Sequence, residues 1–261
     1  MENISEMLLG ILQEEFSNKF ISSRNINKFN ELLKTGKATY KDALEYARNV
    51  GIILSQVYRD NLNEADLPEG RISYELAEAI IRPTMHTNYE LISEYSKEVQ
   101  TIVNKNTGLN IKGVKAKEDI DKVNGIIQRL GSEESYEKIS WILQDPIVNY
   151  SQTIVDNTVR SNAEKLFKLG LSPKIVRTAE HGCCKWCSKL AGVYEYSEVK
   201  DRGNDVFRRH SNCNCLVEYV NKDINEMQNV HTTRDWECYT DEEVLEKLEG
   251  IQKMKNKIKR K

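Results

Sequence analysis

The chain has 261 residues, enough for one or two domains and for a core that needs no staples. Its 38 basic and 40 acidic side chains leave a formal charge of −2, which excludes a polycation built to coat nucleic acid. Hydrophobic residues at 39%, charged residues at 30% and four prolines exclude a disordered or collagen-like chain, and no run approaches the roughly 20 apolar residues of a membrane helix. The opening MENISEMLLGILQEEF carries acids where a secretory leader carries positive charge. Synthesis in the cytosol, no secretion and no membrane partner are expected.

Residues 1–170 read as helices. Thr39 is a candidate N-cap with Asp42 in the first turn, and Gly36 before it suits a turn. Tyr40, Ala43, Leu44, Ala47, Val50, Leu54 and Val57 then recur at steps of three and four, which makes one apolar helix face. Residues 61–70, NLNEADLPEG, have the composition of a loop. A second stripe over 74–103 carries Ala77, Ile80, Ile81, Leu91, Ile92, Tyr95, Val99 and Ile102; Pro83 inside it predicts a kink or break near Arg82. Residues 104–117 form a polar connection. Asp119 caps a shorter helix with Val123, Ile126, Ile127 and Leu130, and Gly131 is expected to end it. One more short helix fits 136–143. Pro146 opens a longer one through Tyr150, Ile154, Val159 and Leu166 to Gly170.

The character changes at Leu171. Residues 174–178 (KIVRT), 193–196 and 216–220 (LVEYV) lean towards β-strand, and the ligand-type residues lie between them. Beyond Val220 the chain turns polar, with a helix expected over 241–255. The last nine residues, KMKNKIKRK, hold six basic side chains and no acid.

All six cysteines lie between Cys183 and Cys238. A disulfide scaffold would spread them through a short secreted chain, whereas a local cluster in a reducing compartment points to metal binding or catalysis. Cys184 and Cys187 form C-x2-C, a spacing that lets a tight turn aim two thiolates at one ion. Cys213 and Cys215, two apart in an extended segment, project to the same face, and His210 on the preceding turn competes for one position. This soft donor set selects zinc over magnesium or calcium. Cys183 reads as a bystander, Cys238 as a small buried apolar residue and Trp186 as a packing anchor. His86 and His231 carry no ligand signal. Arg208 and Arg209, with Lys257, Lys259, Arg260 and Lys261 of the tail, are candidate nucleic-acid contacts; a partner carboxylate or a plain surface pair serves the two arginines as well.

The expected fold is therefore mainly α: a helical body over 1–170, a small zinc-stapled, β-rich (α+β) module over 171–222, and over 223–261 a polar segment with a terminal helix and basic tail. Motifs for catalysis are missing. The sequence has no phosphate-binding loop, no H-E-x-x-H, no G-x-S-x-G, no glycine-rich dinucleotide loop, and no H-x-E paired with P-C-x-x-C. A cysteine hydrolase drawn on Cys183 and His210 would lack any residue to orient the pair, and a zinc hydrolase would need an open coordination position.

The block CCKWCSKLAGVYEY, followed by DVFRRHSNCNC and EYV, resembles the C-terminal module of phage minor head proteins, the Mu F-like head morphogenesis family. The stretches LPEGRISYELAEAIIRP and DPIVNYSQTIVDNTVRSNAEKLFKLGLSPKIVR are similar to the helical part of such minor capsid proteins, so the resemblance covers residues 40–220. It implies a virion protein without enzymatic activity, made in the bacterial host cytoplasm and acting at the portal or capsid interior. Its partners would be the portal protein, other capsid proteins and packaged DNA. It also implies metal ligation by Cys184, Cys187, His210, Cys213 and Cys215. Two departures stand out: Arg209 replaces the family's proline before the histidine, and Cys183 doubles the first cysteine. A nucleic-acid-binding zinc protein is the alternative reading.

Overall fold

The computed structural model describes residues 2–180, 183–201, 205–210 and 212–221. Among these residues the chain forms nine α-helices and one antiparallel sheet of three strands. The helices are α1 (Glu2–Ser22), α2 (Arg24–Lys34), α3 (Tyr40–Asn61), α4 (Tyr74–Asn106), α5 (Ile120–Ser132), α6 (Tyr136–Ile139), α7 (Asp145–Lys168), α8 (Lys185–Leu190) and α9 (Tyr196–Val199). The strands are β1 (Pro173–Thr178), β2 (Gly192–Glu195) and β3 (Leu216–Asn221). Cys238, His231, the expected 241–255 helix, and Lys257, Lys259, Arg260 and Lys261 lie outside the described residues.

α3 begins where its cap predicts. The Asp42 amide donates to Thr39 Oγ1 (3.3 Å) and the Thr39 amide donates to Asp42 Oδ2 (2.9 Å), so each residue satisfies the other's orphan donor. Its buried face is wider than the predicted stripe, because α1, α4 and α7 all pack on it and Tyr46, Ile53 and Tyr58 are buried too. At Gly51 a Cβ would stand 2.7 Å from Ser151 Oγ and 3.0 Å from Val148 Cα, so glycine lets α3 approach α7 closely. α5 starts at the Asp119 cap, whose carboxylate accepts from the Lys122 amide (3.2 Å).

Two expected helix ends are not there. α4 runs unbroken through Pro83 from Tyr74 to Asn106. Pro83 removes one rung, to the carbonyl of Ala79. Both residues are half-exposed, so that carbonyl stays near water, while Ile80, Ile81, Met85 and Ile92 anchor the helix on either side with no exposed surface. Gly131 does not end α5. It lies inside the helix and faces the start of α4, where a Cβ would meet Tyr74 Cα at 2.8 Å. Its requirement is closeness, not a left-handed backbone.

α7 is the central helix, buried along most of its length, and it carries polar groups into the core. Asn162 bonds both backbone groups of Val114 (2.8 Å each), and Asn88 donates to Ser151 Oγ (3.1 Å). These pairings pin the 107–119 connection and α4 to α7.

In the sheet the strand order is β2-β1-β3, both neighbours antiparallel to β1. Ile175 pairs with Tyr194 and Tyr219, and Arg177 with Gly192 and Val217. Alternation turns Pro173, Ile175 and Arg177 of β1 inward. The run leading into β3 does the same with Cys213, Cys215, Val217 and Tyr219. Ile175, Val217 and Tyr219 join the core of the helical body, together with Tyr196, Val199, Val206 and Phe207. The apolar core thus continues past residue 171. A second, small cluster holds Cys187, Cys213 and Cys215, with Cys183 and Trp186 packed against it.

Candidate metal centre

The first donor pair sits at the start of α8. Cys184 is its N-cap, with an exposed side chain, and the Cys187 amide donates to Cys184 Sγ at 3.4 Å. That amide is the main reason the Cys184 thiol ionises below the ordinary thiol range. Cys187, one turn on, is buried. The second group comes from the turn before β3. Cys213 N donates to the His210 carbonyl (3.2 Å), and Asn212 adopts a left-handed backbone at φ 59°, a conformation asparagine tolerates better than most residues. The tight turn brings His210 beside the cysteines that follow.

The two groups meet. His210 Nε2 lies 3.2 Å from Cys184 Sγ and 2.9 Å from Cys187 Sγ, and Cys187 Sγ lies 3.6 Å from Cys213 Sγ. The donor atoms form two triads, each mutually within 4.8 Å: Cys184, Cys187 and His210, and Cys187, Cys213 and Cys215. Cys187 belongs to both. A tetrahedral zinc site with bonds of about 2.3 Å to sulfur and 2.0 Å to nitrogen has sulfur–sulfur edges of about 3.8 Å and sulfur–nitrogen edges of about 3.6 Å. The Cys187–Cys213 edge fits; the imidazole must retreat by about half an ångström to admit an ion. Burial, reinforced by Cys215 and Cys213, pushes the Cys187 thiol up, so its proton leaves readily only when a cation takes its place. Donor chemistry and spacing therefore fit a metal ion. Cys183 stands outside both triads, and His86 is remote, its Nδ1 2.8 Å from Glu118 Oε2.

Arg209 is not a nucleic-acid contact. Its side chain and that of Asp156 on α7 are each 1% exposed and form a two-pronged ion pair, Nε to Oδ2 and Nη2 to Oδ1 (2.7 Å), while Nη1 donates to the Cys213 carbonyl (3.1 Å). Burial raises the Asp156 carboxyl above the usual carboxylate range against the pull of Arg209. The pair bolts the His210–Cys213 turn to the central helix. Arg208 is exposed and bonds Asp205 Oδ1 (2.9 Å) within its own turn.

Arg177 escaped the sequence reading. It is 1% exposed, donates through Nη1 to the carbonyls of Val206 and Arg208 (2.9 Å for the latter), and lies with Cζ 5.4 Å from the centre of the Trp186 ring. Its Nη2 points at Cys187 Sγ (3.9 Å) and Cys213 Sγ (3.8 Å). The strand alternation of KIVRT held the signal, since a residue two places from core-facing Ile175 shares its face. Trp186 acts as the expected anchor, edge-on to His210 at 5.6 Å.

No family model matches the chain, no curated protein matches it, and no solved structure matches it. Among the described residues no helix is long and apolar enough to cross a membrane.

Proposed function

We propose that the Cys/His cluster holds a structural zinc ion and that the chain is a non-enzymatic assembly protein of a bacteriophage head. The observation that carries the metal reading is the meeting of donors from 184–187 and 210–215 in two triads that share Cys187. Thiolate and imidazole donors favour zinc among abundant divalent ions. The protein offers enough donors to fill four positions, which leaves no place for a catalytic water. The head-assembly reading rests on the resemblance of this block, and of the helical stretches before it, to minor head proteins. In that reading the helical body docks on the portal or the capsid interior, and the zinc-braced end presents a rigid surface to portal, capsid protein or packaged DNA. The site of action is the virion, after assembly in the host cytoplasm. A direct role in DNA binding is weakened by the burial of Arg209, which leaves Arg208 and the basic tail to carry it.

Elemental analysis of the purified protein tests the first half: about one zinc per chain is expected, and a metal-free protein with a native fold refutes it. Co-expression with the portal protein of the same phage or prophage tests the second. Stable co-purification is expected; separate elution at low salt refutes the docking role.

A further inference from the structure

We infer that Arg177 is the fixed counter-charge of the metal centre and that it selects Cys184, Cys187, Cys213 and His210 as the four ligands, leaving Cys215 as a thiol outside the coordination. This rests on the zinc reading above and deepens it.

The argument begins with a buried cation. A guanidinium keeps its charge in a protein interior, and a buried charge without an opposite partner is strongly destabilising. Arg177 is fully enclosed, yet among the described residues it makes no ion pair with a carboxylate. The nearby buried carboxylate, Asp156, has both oxygens committed to Arg209. Two carbonyls and the Trp186 ring face Arg177, and its Nε has no hydrogen-bond partner. Carbonyls supply dipoles and no net charge. Among the described residues the groups that Nη2 itself reaches are the two sulfurs, at 3.8 and 3.9 Å, a contact worth much to a thiolate and little to a thiol.

Charge counting then chooses the ligand set. Asp156 and Arg209 cancel, so Arg177 leaves one positive charge in this part of the core. Zinc with three thiolates and a neutral imidazole carries one negative charge and balances it. Zinc with four thiolates carries two and leaves one over. His210 touches both Cys184 and Cys187, which makes that triad the nucleus of the site, and both Cys213 and Cys215 are grouped with it through Cys187. Of the two cysteines that could complete the His210 triad, Cys213 is the one Arg177 reaches.

The test uses the full-length protein loaded with zinc or cobalt(II). Competition against a chromophoric chelator should show zinc binding about 10- to 100-fold weaker in Arg177→Met. Arg177→Lys, which keeps the charge, should recover most of that loss. In the Cys184→His background, which leaves the Arg177 contacts to Cys187 and Cys213 in place, the centre becomes neutral and the Arg177→Met penalty should shrink sharply, which a purely packing role would not produce. With cobalt(II), the sulfur-to-metal charge-transfer band should be unchanged in Cys215→Ser and fall by about one third in Cys213→Ser. Equal affinity in wild type and Arg177→Met, equal losses in the Met and Lys variants, or a fallen band in Cys215→Ser would each overturn the inference while a zinc-loaded wild type leaves the metal reading intact. Should Arg177→Met not fold, the lysine variant and the cobalt spectra still decide.

Discussion

The helical body and the cysteine end of the sheet solve the same problem by opposite means. In the body, side chains such as Ile80, Ile81, Met85 and Ile92 are excluded from water with no charge to answer for. Transfer of apolar surface is the main term stabilising that packing, at roughly 25 cal/mol per Å². At the other end the buried groups are three cysteines, two arginines and an aspartate. Little apolar area is gained there, and each charged group becomes tolerable only when its opposite is present. The first region is held by what its residues avoid, the second by what they require.

The contrast breaks most visibly on metal removal. Structural zinc supplies on the order of 10 kcal/mol at neutral pH in free-standing modules. A chelator should therefore strip hydrogen-exchange protection from Thr178, α8 and the 213–216 run while amides of α3, α4 and α7 keep theirs. Ile175, Val217 and Tyr219 share the body's core, and the Tyr219 hydroxyl donates to Asn104 on α4, so that end of the sheet should hold. Uniform loss across the chain would show that the two regions are one cooperative unit. Next in size is Asp156→Ala, which leaves Arg209 buried without its anion and should cost about 3–5 kcal/mol in urea unfolding. Replacing both partners by leucine and methionine should restore most of it; an Asp156→Ala protein as stable as the parent would mean that Arg209 swings out to water. The smallest effect sharpens the apolar side. Gly131→Ala should cost about 1–3 kcal/mol through contact with the Tyr74 backbone. Gly125→Ala in the same helix, where a Cβ meets nothing within 4 Å, should gain about 0.5–1 kcal/mol. Matching thermal shifts for the two would remove the close approach of α4 and α5.

Local signals in the sequence suffice where local physics decides. Thr39 and Asp119 cap because their side chains reach amides three residues on, which depends on nothing distant. The C-x2-C turn and the alternating Cys213 and Cys215 are likewise short-range geometry. Pro83 and Gly131 misled because a lost rung or a missing Cβ is judged against the neighbouring helix, which spacing does not reveal. Arg209 looked like a surface cation because composition reports charge and not its partner, and Asp156 stands 53 residues away. For Arg177 the alternation of KIVRT shows the inward face but not the partners, Cys187 and Cys213, which lie 10 and 36 residues away.

The order of the strands carries a last consequence. β1 lies between β2 and β3, and both are later in the chain. A nascent polypeptide that has emerged only through Thr178 has every helix from α1 to α7 but an inner strand with no partner on either edge. Folding during synthesis, which proceeds from the N-terminus, gives that strand its first edge with Gly192–Glu195 and its second only when Leu216–Asn221 is made. The same order holds for the cysteine cluster, whose donors from 184–187 must wait for those from 210–215.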